Sequence, residues 1–427
     1  MLHANRENMK RKLTLTLAFA LLVNLIIGYT AYSEERGEVG GDDEVLESIE
    51  TIMHVLQLIR RNYVDIDKVT TKELLEGALN GMTEKLDPFS AYLPPRDLKS
   101  LVEDTEGAFG GIGINVNTSD GKVHIVATTP DAPGEKAGLQ AGDIITSVDD
   151  KPLNEADLEN SVFRLRGKPG TQVKVTVWRQ SEEKSLDFNI TRAMIPVPNV
   201  TNAQVIEGTE IGFVRVRQFM EPTAQNLEKV LRDFEAKKVT SLIIDLRGNP
   251  GGLLESAVDI CSFFLPKDKL VVTVKRHSET HENRESENFK EYKSKGGYKF
   301  PASVRLVLLV DGASASASEI TAGCLRDHKR AVLLGSKTYG KGSVQNIVEL
   351  GNGSAVKLTM ARYYSPDPAR PTIDKNGIEP DIIENISMKS LREIMRGFEE
   401  GKLSIEKDKQ LARAIQLLKS LDVLTKK

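Results

Sequence analysis

Residues 311–320 read DGASASASEI, so Ser314, Ser316 and Ser318 alternate with alanines directly after the apolar run VRLVLLV. A strand that passes through small residues into a helix puts one hydroxyl at the helix N-terminus. There, unpaired N–H groups and the helix dipole favour a developing negative charge. Helix capping accounts for the same pattern, since Ser is a preferred N-cap and Glu319 stands three residues after Ser316, as a capping box requires. A nucleophilic serine also needs a base. His328 lies 12 residues beyond Ser316, toward the far end of the same helical pattern, and no Gly-x-Ser-x-Gly elbow occurs. The stretch SKTYGKGSVQ offers Lys341 between Gly340 and Gly342. A lysine desolvated beside a serine accepts the hydroxyl proton near neutral pH. A surface lysine in a turn is the plain alternative. A phosphate loop over 335–341 is rejected, because Gly342 stands where Ser or Thr would bind magnesium.

A third element is DLRGNPGGLL at 245–254, a strand running into Gly251-Gly252 and then a helix. Bare N–H groups at such glycines can point at an anion, although Asn-Pro-Gly-Gly also makes a good strand-to-helix turn.

These segments need a scaffold, and the pattern supplies one. After residue 200, strand-like runs (EIGFVRVRQF, TSLIIDLR, LVVTVKR, VRLVLLVDG, RAVLLGS) alternate with helical ones (TAQNLEKVLRDFEAKK, LLESAVDICSFFL, ASEITAGCLRDH), which predicts a layered α/β core. Residues 105–195 alternate with period two between glycine-rich turns and predict a small β-rich module. Helical periodicity governs 44–104 and the tail from 388. Residues 276–300 are charged and poor in apolar side chains and read as an exposed loop.

A length of 427 residues calls for two or three domains. A net charge of −3 with only 5% aromatics and no basic cluster argues against nucleic acid as a partner. Arg6, Lys10, Arg11 and Lys12 precede an uncharged apolar run over 13–29, the pattern of an export signal or a retained membrane anchor. The expected location is therefore periplasmic or otherwise extracytoplasmic. Two cysteines in apolar helical segments, Cys261 and Cys324, read as buried thiols, and no His or Cys grouping suggests a metal or other cofactor.

Taken in order, IDLRGNPGGLL, VDGASASASEI, TYGKGSVQ, MARYYSP and NGIEPD, with LDPFSAYL upstream, closely resemble the C-terminal processing (tail-specific) serine peptidases. KAGLQAGDIITSVDDKPL resembles a PDZ domain, with FGGIGI where its carboxylate-binding loop belongs. The resemblance implies a crotonase-like layered α/β peptidase core at 196–387 and a PDZ domain at 105–195. A helical region at 34–104 and a C-terminal helical region at 388–427 flank them, and 1–33 is the signal or anchor. It implies Ser316 as nucleophile, Lys341 as general base, Gln345 as the residue that orients the lysine, and the N–H groups of Gly252 and Ala317 as the oxyanion hole. Ser314 and Ser318 become structural. Gly110, Gly111, Ile112 and Gly113 would hold the free carboxylate of an apolar substrate tail. Arg166 matches a position that in some relatives couples tail binding to activation. Substrates would be proteins or peptides with a free C-terminus, with room for an activating adaptor. The C-terminal helices are expected to join copies into a homo-oligomer. An idle PDZ adaptor or a membrane scaffold is the alternative.

Overall fold

The computed structural model of the chain describes residues 42–153, 158–276 and 289–425. The apolar segment at 13–29, the linker up to residue 41 and the charged stretch 277–288 lie outside them. Among the described residues no helix is long and apolar enough to cross a membrane. Two compact units are distinguished, one ending at Leu86 and one starting at Asp87.

The described part of the first unit is α1 (Asp42–Asn62), a short 3-10 turn at Ile66–Lys68, and α2 (Thr71–Glu84). A reciprocal capping box between Thr70 and Glu73 starts α2. Val45, Leu46, Ile49, Ile52 and Met53 of α1 recur at helical spacing, and each is about half exposed.

The second unit begins with β1 (Ala91–Leu93), α3 (Pro95–Glu106) and β2 (Ala108–Gly111). A β module follows: β3 (Ile114–Ser119), β4 (Lys122–Thr128), α4 (Pro133–Ala137), β5 (Ile144–Val148), β6 (Lys151–Pro152), α5 (Leu158–Phe163), β7 (Gln172–Arg179) and β8 (Lys184–Thr191). Its sheet runs β3-β4-β5-β7-β8, with β6 beside β5. The period-two alternation of KVHIVAT and QVKVTVWR gathers Val123, Ile125, Val173, Val175 and Val177 into one core. β9 (Ala193–Pro196) pairs back antiparallel with β2, so the chain enters and leaves the module along one ribbon.

The remaining elements are β10 (Val200–Val205), β11 (Ile211–Val216), α6 (Thr223–Ala236), β12 (Ser241–Asp245), α7 (Leu254–Phe264), β13 (Leu270–Arg276), β14 (Phe289–Lys293), β15 (Arg305–Val310), α8 (Ala317–Asp327), β16 (Val332–Gly335), β17 (Ser343–Glu349), β18 (Ala355–Tyr364), β19 (Ile382–Ile383), α9 (Met388–Glu399) and α10 (Lys409–Thr425). The central sheet is ordered β10-β11-β12-β15-β16-β19, and all neighbours but the antiparallel β10–β11 pair are parallel. Parallel neighbours need crossovers, which α6, α7 and α8 provide. These helices cover one face through Leu227, Leu231, Cys261, Ile320 and Leu325 against Leu242, Ile244, Leu306 and Leu308. The other face, built on Phe213, Ile243, Val307 and Leu309, is covered by Phe398, Leu411, Ala414 and Leu418 of α9 and α10. Burial on both sides explains why β12 and β15 read as continuous apolar runs rather than alternating ones.

Two expectations need correction. Part of the presumed loop at 276–300 is strand: Arg276 ends β13, residues 289–293 form β14 on the edge of β13, and Phe300 is buried. Its charged FKEYK sequence suits an edge strand, where charge blunts further pairing. The apolar faces of the C-terminal helices, expected to join copies, are instead buried on their own sheet.

Candidate active site

Ser316 is the residue immediately before α8 and is 7% exposed. Its backbone sits at φ 54° and ψ −114°, a left-handed conformation that costs a non-glycine residue about 1–3 kcal/mol. The strain is held by a clamp between two loops. Ser314 Oγ donates to Leu246 O (2.8 Å), Ser318 Oγ donates to Asn249 O (3.0 Å), and Ala315 N donates to the same carbonyl (3.0 Å). Asp311 Oδ1 adds a bond from Gly248 N at 2.9 Å. The outer two serines thus fasten the 311–318 turn to the 246–252 turn.

Gly251, at φ +101°, lies so close that a Cβ there would stand 2.8 Å from Ser316 Cβ and 2.9 Å from Ala317 N. Only glycine fits this crossing. Gly252 (φ +139°) is pressed against the Phe219 carbonyl, which a Cβ would meet at 2.0 Å. The N–H groups of Gly252 and Ala317 donate to no acceptor among the described residues. Two such donors beside Ser316 are what stabilisation of an oxyanion requires.

Glu319 connects the serine to the lysine and is fully buried. Its Oε2 accepts the N–H groups of Ser316 (2.9 Å) and Lys341 (2.9 Å), while Oε1 accepts Thr338 Oγ1 (2.6 Å) and Gly340 N (2.7 Å). Burial pushes its pKa up, against the pull of those donors. The sequence disclosed this residue only as one half of a capping box. The glycines around Lys341 allow close backbone packing: a Cβ on Gly342 would meet Asp374 N at 2.2 Å, and one on Gly340 would meet Gly377 N at 3.0 Å.

Lys341 itself is half-buried, with Nζ 4.8 Å from the Phe89 ring centroid. Burial lowers its pKa, and the nearby charge of Lys357 lowers it further, while Glu319 raises it. Both lowering effects favour the neutral amine that a base must be. A like charge disfavours protonated Lys341, so removing it raises the lysine pKa. Lys357→Met is therefore expected to move the acid limb of the kcat/KM profile to higher pH. Near pH 7 the rate should fall roughly 1.4- to five-fold, the scale of an exposed charge interaction of about 0.2–1 kcal/mol. Lys357→Arg should keep the wild-type profile.

No hydrogen bond joins Lys341 Nζ to Ser316 Oγ or to Gln345. Gln345 Nε2 donates instead to Ser343 Oγ (2.8 Å) and Thr359 Oγ1 (3.2 Å). His328 ends α8 and holds the Leu270 carbonyl through Nε2 at 2.7 Å. An 11-residue helix separates it from Ser316 by about 16 Å, too far to act as base.

Beneath the glycine turn lies a charged knot that the sequence did not disclose. Arg247, fully buried, pairs with both oxygens of Asp245 (2.9 and 2.8 Å) and both of Asp408 (2.9 and 2.7 Å), and donates to Gln410 Oε1 (3.0 Å). Loss of either carboxylate would leave uncompensated buried charge, at a cost of about 3–5 kcal/mol. This ties the C-terminal region to the end of β12 and the turn that leads to Gly251 and Gly252.

The β module presents a groove of about 460 Å³ lined by Gly111, Ile112, Gly113, Val162, Leu165 and Arg166. The N–H groups of Ile112 and Gly113 donate to nothing among the described residues. Gly113 (φ +71°) leaves no room for a side chain, since a Cβ would meet Ala132 Cβ at 2.2 Å. Gly110 lies deeper, bonded through its carbonyl to Gly167 N at 2.9 Å. Arg166 is no free turn residue: it bonds Glu103 Oε2 at 3.3 Å and lies 4.4 Å over the Phe109 ring. Asp97, Ser100 and Asp104 of α3 form a further wall that the sequence did not reveal.

Three family profiles match: peptidase family S41 over residues 210–384, a PDZ domain over 110–190, and the activating protease CtpB N-terminal domain over 29–96. A carboxy-terminal-processing protease of Bartonella bacilliformis is 37% identical over 333 residues, 77% of this chain and 73% of that one. The chain belongs to peptidase family S41. Among other members, the carboxy-terminal processing protease CtpB of Bacillus subtilis is 36% identical, over 80% of this chain and 68% of its own. A solved photosystem II D1 C-terminal processing protease is 26% identical and covers 81% of this chain and 96% of that one, with a TM-score of 0.43. As an S41 peptidase with a PDZ domain, the chain acts on peptide or protein substrates.

Proposed function

We propose that the protein is an exported endopeptidase that cuts protein substrates near their C-termini through Ser316, Lys341 and Gln345. The observation that carries this reading is the Glu319 carboxylate, which holds the backbone of Ser316 and that of Lys341 at one point beside two free N–H donors. In the reaction, neutral Lys341 takes the Ser316 hydroxyl proton as Oγ attacks the scissile carbonyl. The tetrahedral oxyanion is held by Gly252 N and Ala317 N. On collapse, the lysine returns its proton to the departing amine, and water then releases the acyl group by the same route.

The free N–H groups of Ile112 and Gly113 suit a terminal carboxylate, and the apolar groove behind them suits the last side chain. Arg166 and its partner Glu103 border this groove and join it to α3, and we assign gating to them. Docking of a tail shifts the population toward an arrangement in which Gln345 and Lys341 engage Ser316. Export follows from the basic and apolar N-terminal pattern. Self-association is assigned to the exposed stripe of α1 rather than to the C-terminal helices.

The test uses one peptide with an apolar end, made with a free carboxylate and with an amide, and reads products by mass spectrometry. The free-ended form should be cut faster by wild type, and neither form by Lys341→Ala. Equal rates on both forms would contradict tail specificity. Binding of the free end without any product would favour an idle adaptor.

A further inference from the structure

The LDPFSAYL segment lies before the core yet reaches the base side of the site. Asp87 Oδ1 accepts the N–H groups of Phe89 (2.8 Å) and Ser90 (2.9 Å), and Oδ2 accepts Ser90 Oγ (2.8 Å). Oδ1 also faces Thr359 Oγ1 at 3.2 Å, and Ser90 Oγ accepts Thr359 N at 3.2 Å. Burial pushes the Asp87 pKa up, but these hydrogen bonds outweigh it and hold the carboxyl below its ordinary value, so it is ionised.

Thr359 stands directly across from Gln345 in the β17–β18 ladder, next to a register slip that sets off Val344 and Gln345 against β18. Such irregularities re-aim side chains beside active sites.

The direction of each bond follows from chemistry. An ionised carboxylate only accepts, so the single hydroxyl proton of Thr359 goes to Asp87. Thr359 Oγ1 can then only accept, and the group that Gln345 turns toward it must be its NH2. Gln345 Nε2 meets Thr359 Oγ1 at 3.2 Å and Ser343 Oγ at 2.8 Å. Its Oε1 has no partner among the described residues.

We propose that Asp87 and Thr359 are positioning residues that fix which end of the Gln345 amide is offered to the lysine, presenting Oε1 and withholding NH2. The proposal rests on the reading of Gln345 as the residue that orients Lys341. An amide oxygen accepts from the amine and leaves its lone pair free for the Ser316 proton. A reversed amide would donate to that lone pair and block it.

The test measures kcat and KM on the free-ended apolar peptide with the full chain. Thr359→Val removes one of the two Nε2 acceptors and leaves only Ser343 Oγ, a hydroxyl able to donate as well as accept. It should lower kcat between about ten- and hundred-fold with KM little changed. Thr359→Ser should restore most of the rate. Asp87→Ala should resemble Thr359→Val, because the Thr359 hydroxyl then loses the carboxylate oxygen that fixes its proton. In a Gln345→Glu background, Thr359→Val should add little, since a carboxylate presents oxygen whichever way it turns. Where Asp87→Ala fails to fold, the threonine variants carry the test. The proposal is overturned if Thr359→Val keeps a wild-type kcat while Gln345→Ala is impaired, or if the two losses simply multiply. If Gln345→Ala itself keeps a wild-type kcat, the reading of Gln345 fails and the relay with it.

Discussion

Ser316→Ala is expected to abolish cleavage, with kcat falling on the order of 10⁴- to 10⁶-fold, while a free-ended peptide still binds the PDZ groove. The substitution removes one oxygen and keeps Cβ, so the turn that holds φ at 54° is not asked to change. Most bonds that fasten the turn come from elsewhere: from the Ser314 and Ser318 side chains, from Ala315 N, from Gly248 N to Asp311 Oδ1, and from the Ser316 N–H to Glu319. Ser316 Oγ adds only its cap on the Glu319 N–H and a bond with Tyr363. Melting temperature should therefore stay close to wild type. Tyr363 nearby remains a neutral phenol, since burial pushes its pKa up to about 12, and it offers no replacement nucleophile. Cleavage by a folded Ser316→Ala protein at more than about a hundredth of the wild-type rate would exceed what an oxyanion hole alone supports.

Glu319→Gln should damage both stability and rate. Four donors converge on the carboxylate, from Ser316 N, Lys341 N, Gly340 N and Thr338 Oγ1. Glutamine keeps one acceptor oxygen and brings two N–H donors into contact with donors already there. Thr338 can turn its hydroxyl, but the backbone N–H groups cannot. A buried donor left unpaired costs about 1–3 kcal/mol, so a fall in melting temperature of several degrees is expected. The rate should fall further than stability explains, about 10²-fold in kcat, because the serine and lysine backbones lose their common anchor. The check is kcat at a temperature where circular dichroism shows the variant folded. A folded Glu319→Gln protein with near wild-type kcat would show that the carboxylate is merely a helix cap.

The sequence makes the α/β core and the PDZ module legible because their patterns are local. Alternation in KVHIVAT places Val123 and Ile125 inward, and strand-turn-helix chemistry marks out the glycines at 251–252 and the serines at 314–318. Features built from several segments were less legible. Glu319 looks like a capping residue because only one of its four donors, Ser316 N, belongs to its own helix start. Arg247 reads as an ordinary strand-end arginine because its second carboxylate, Asp408, lies 161 residues away. The resemblance gives Gln345 to the lysine, yet its NH2 bonds Ser343 on its own strand and Thr359, a position that only the β17–β18 register brings to it. Residues 289–293 look like loop because an edge strand tolerates charge on both faces.

Covalent trapping reads whether Ser316 forms the bond to substrate. Protein from residue 34 onward would be treated with a fluorophosphonate, and intact mass and tryptic mapping would locate the adduct. Stoichiometric labelling on the peptide that contains Ser316, lost in Ser316→Ala and strongly slowed in Lys341→Ala, is the expected result. Labelling of Ser314, Ser318 or another residue, with cleavage lost in step, would contradict it.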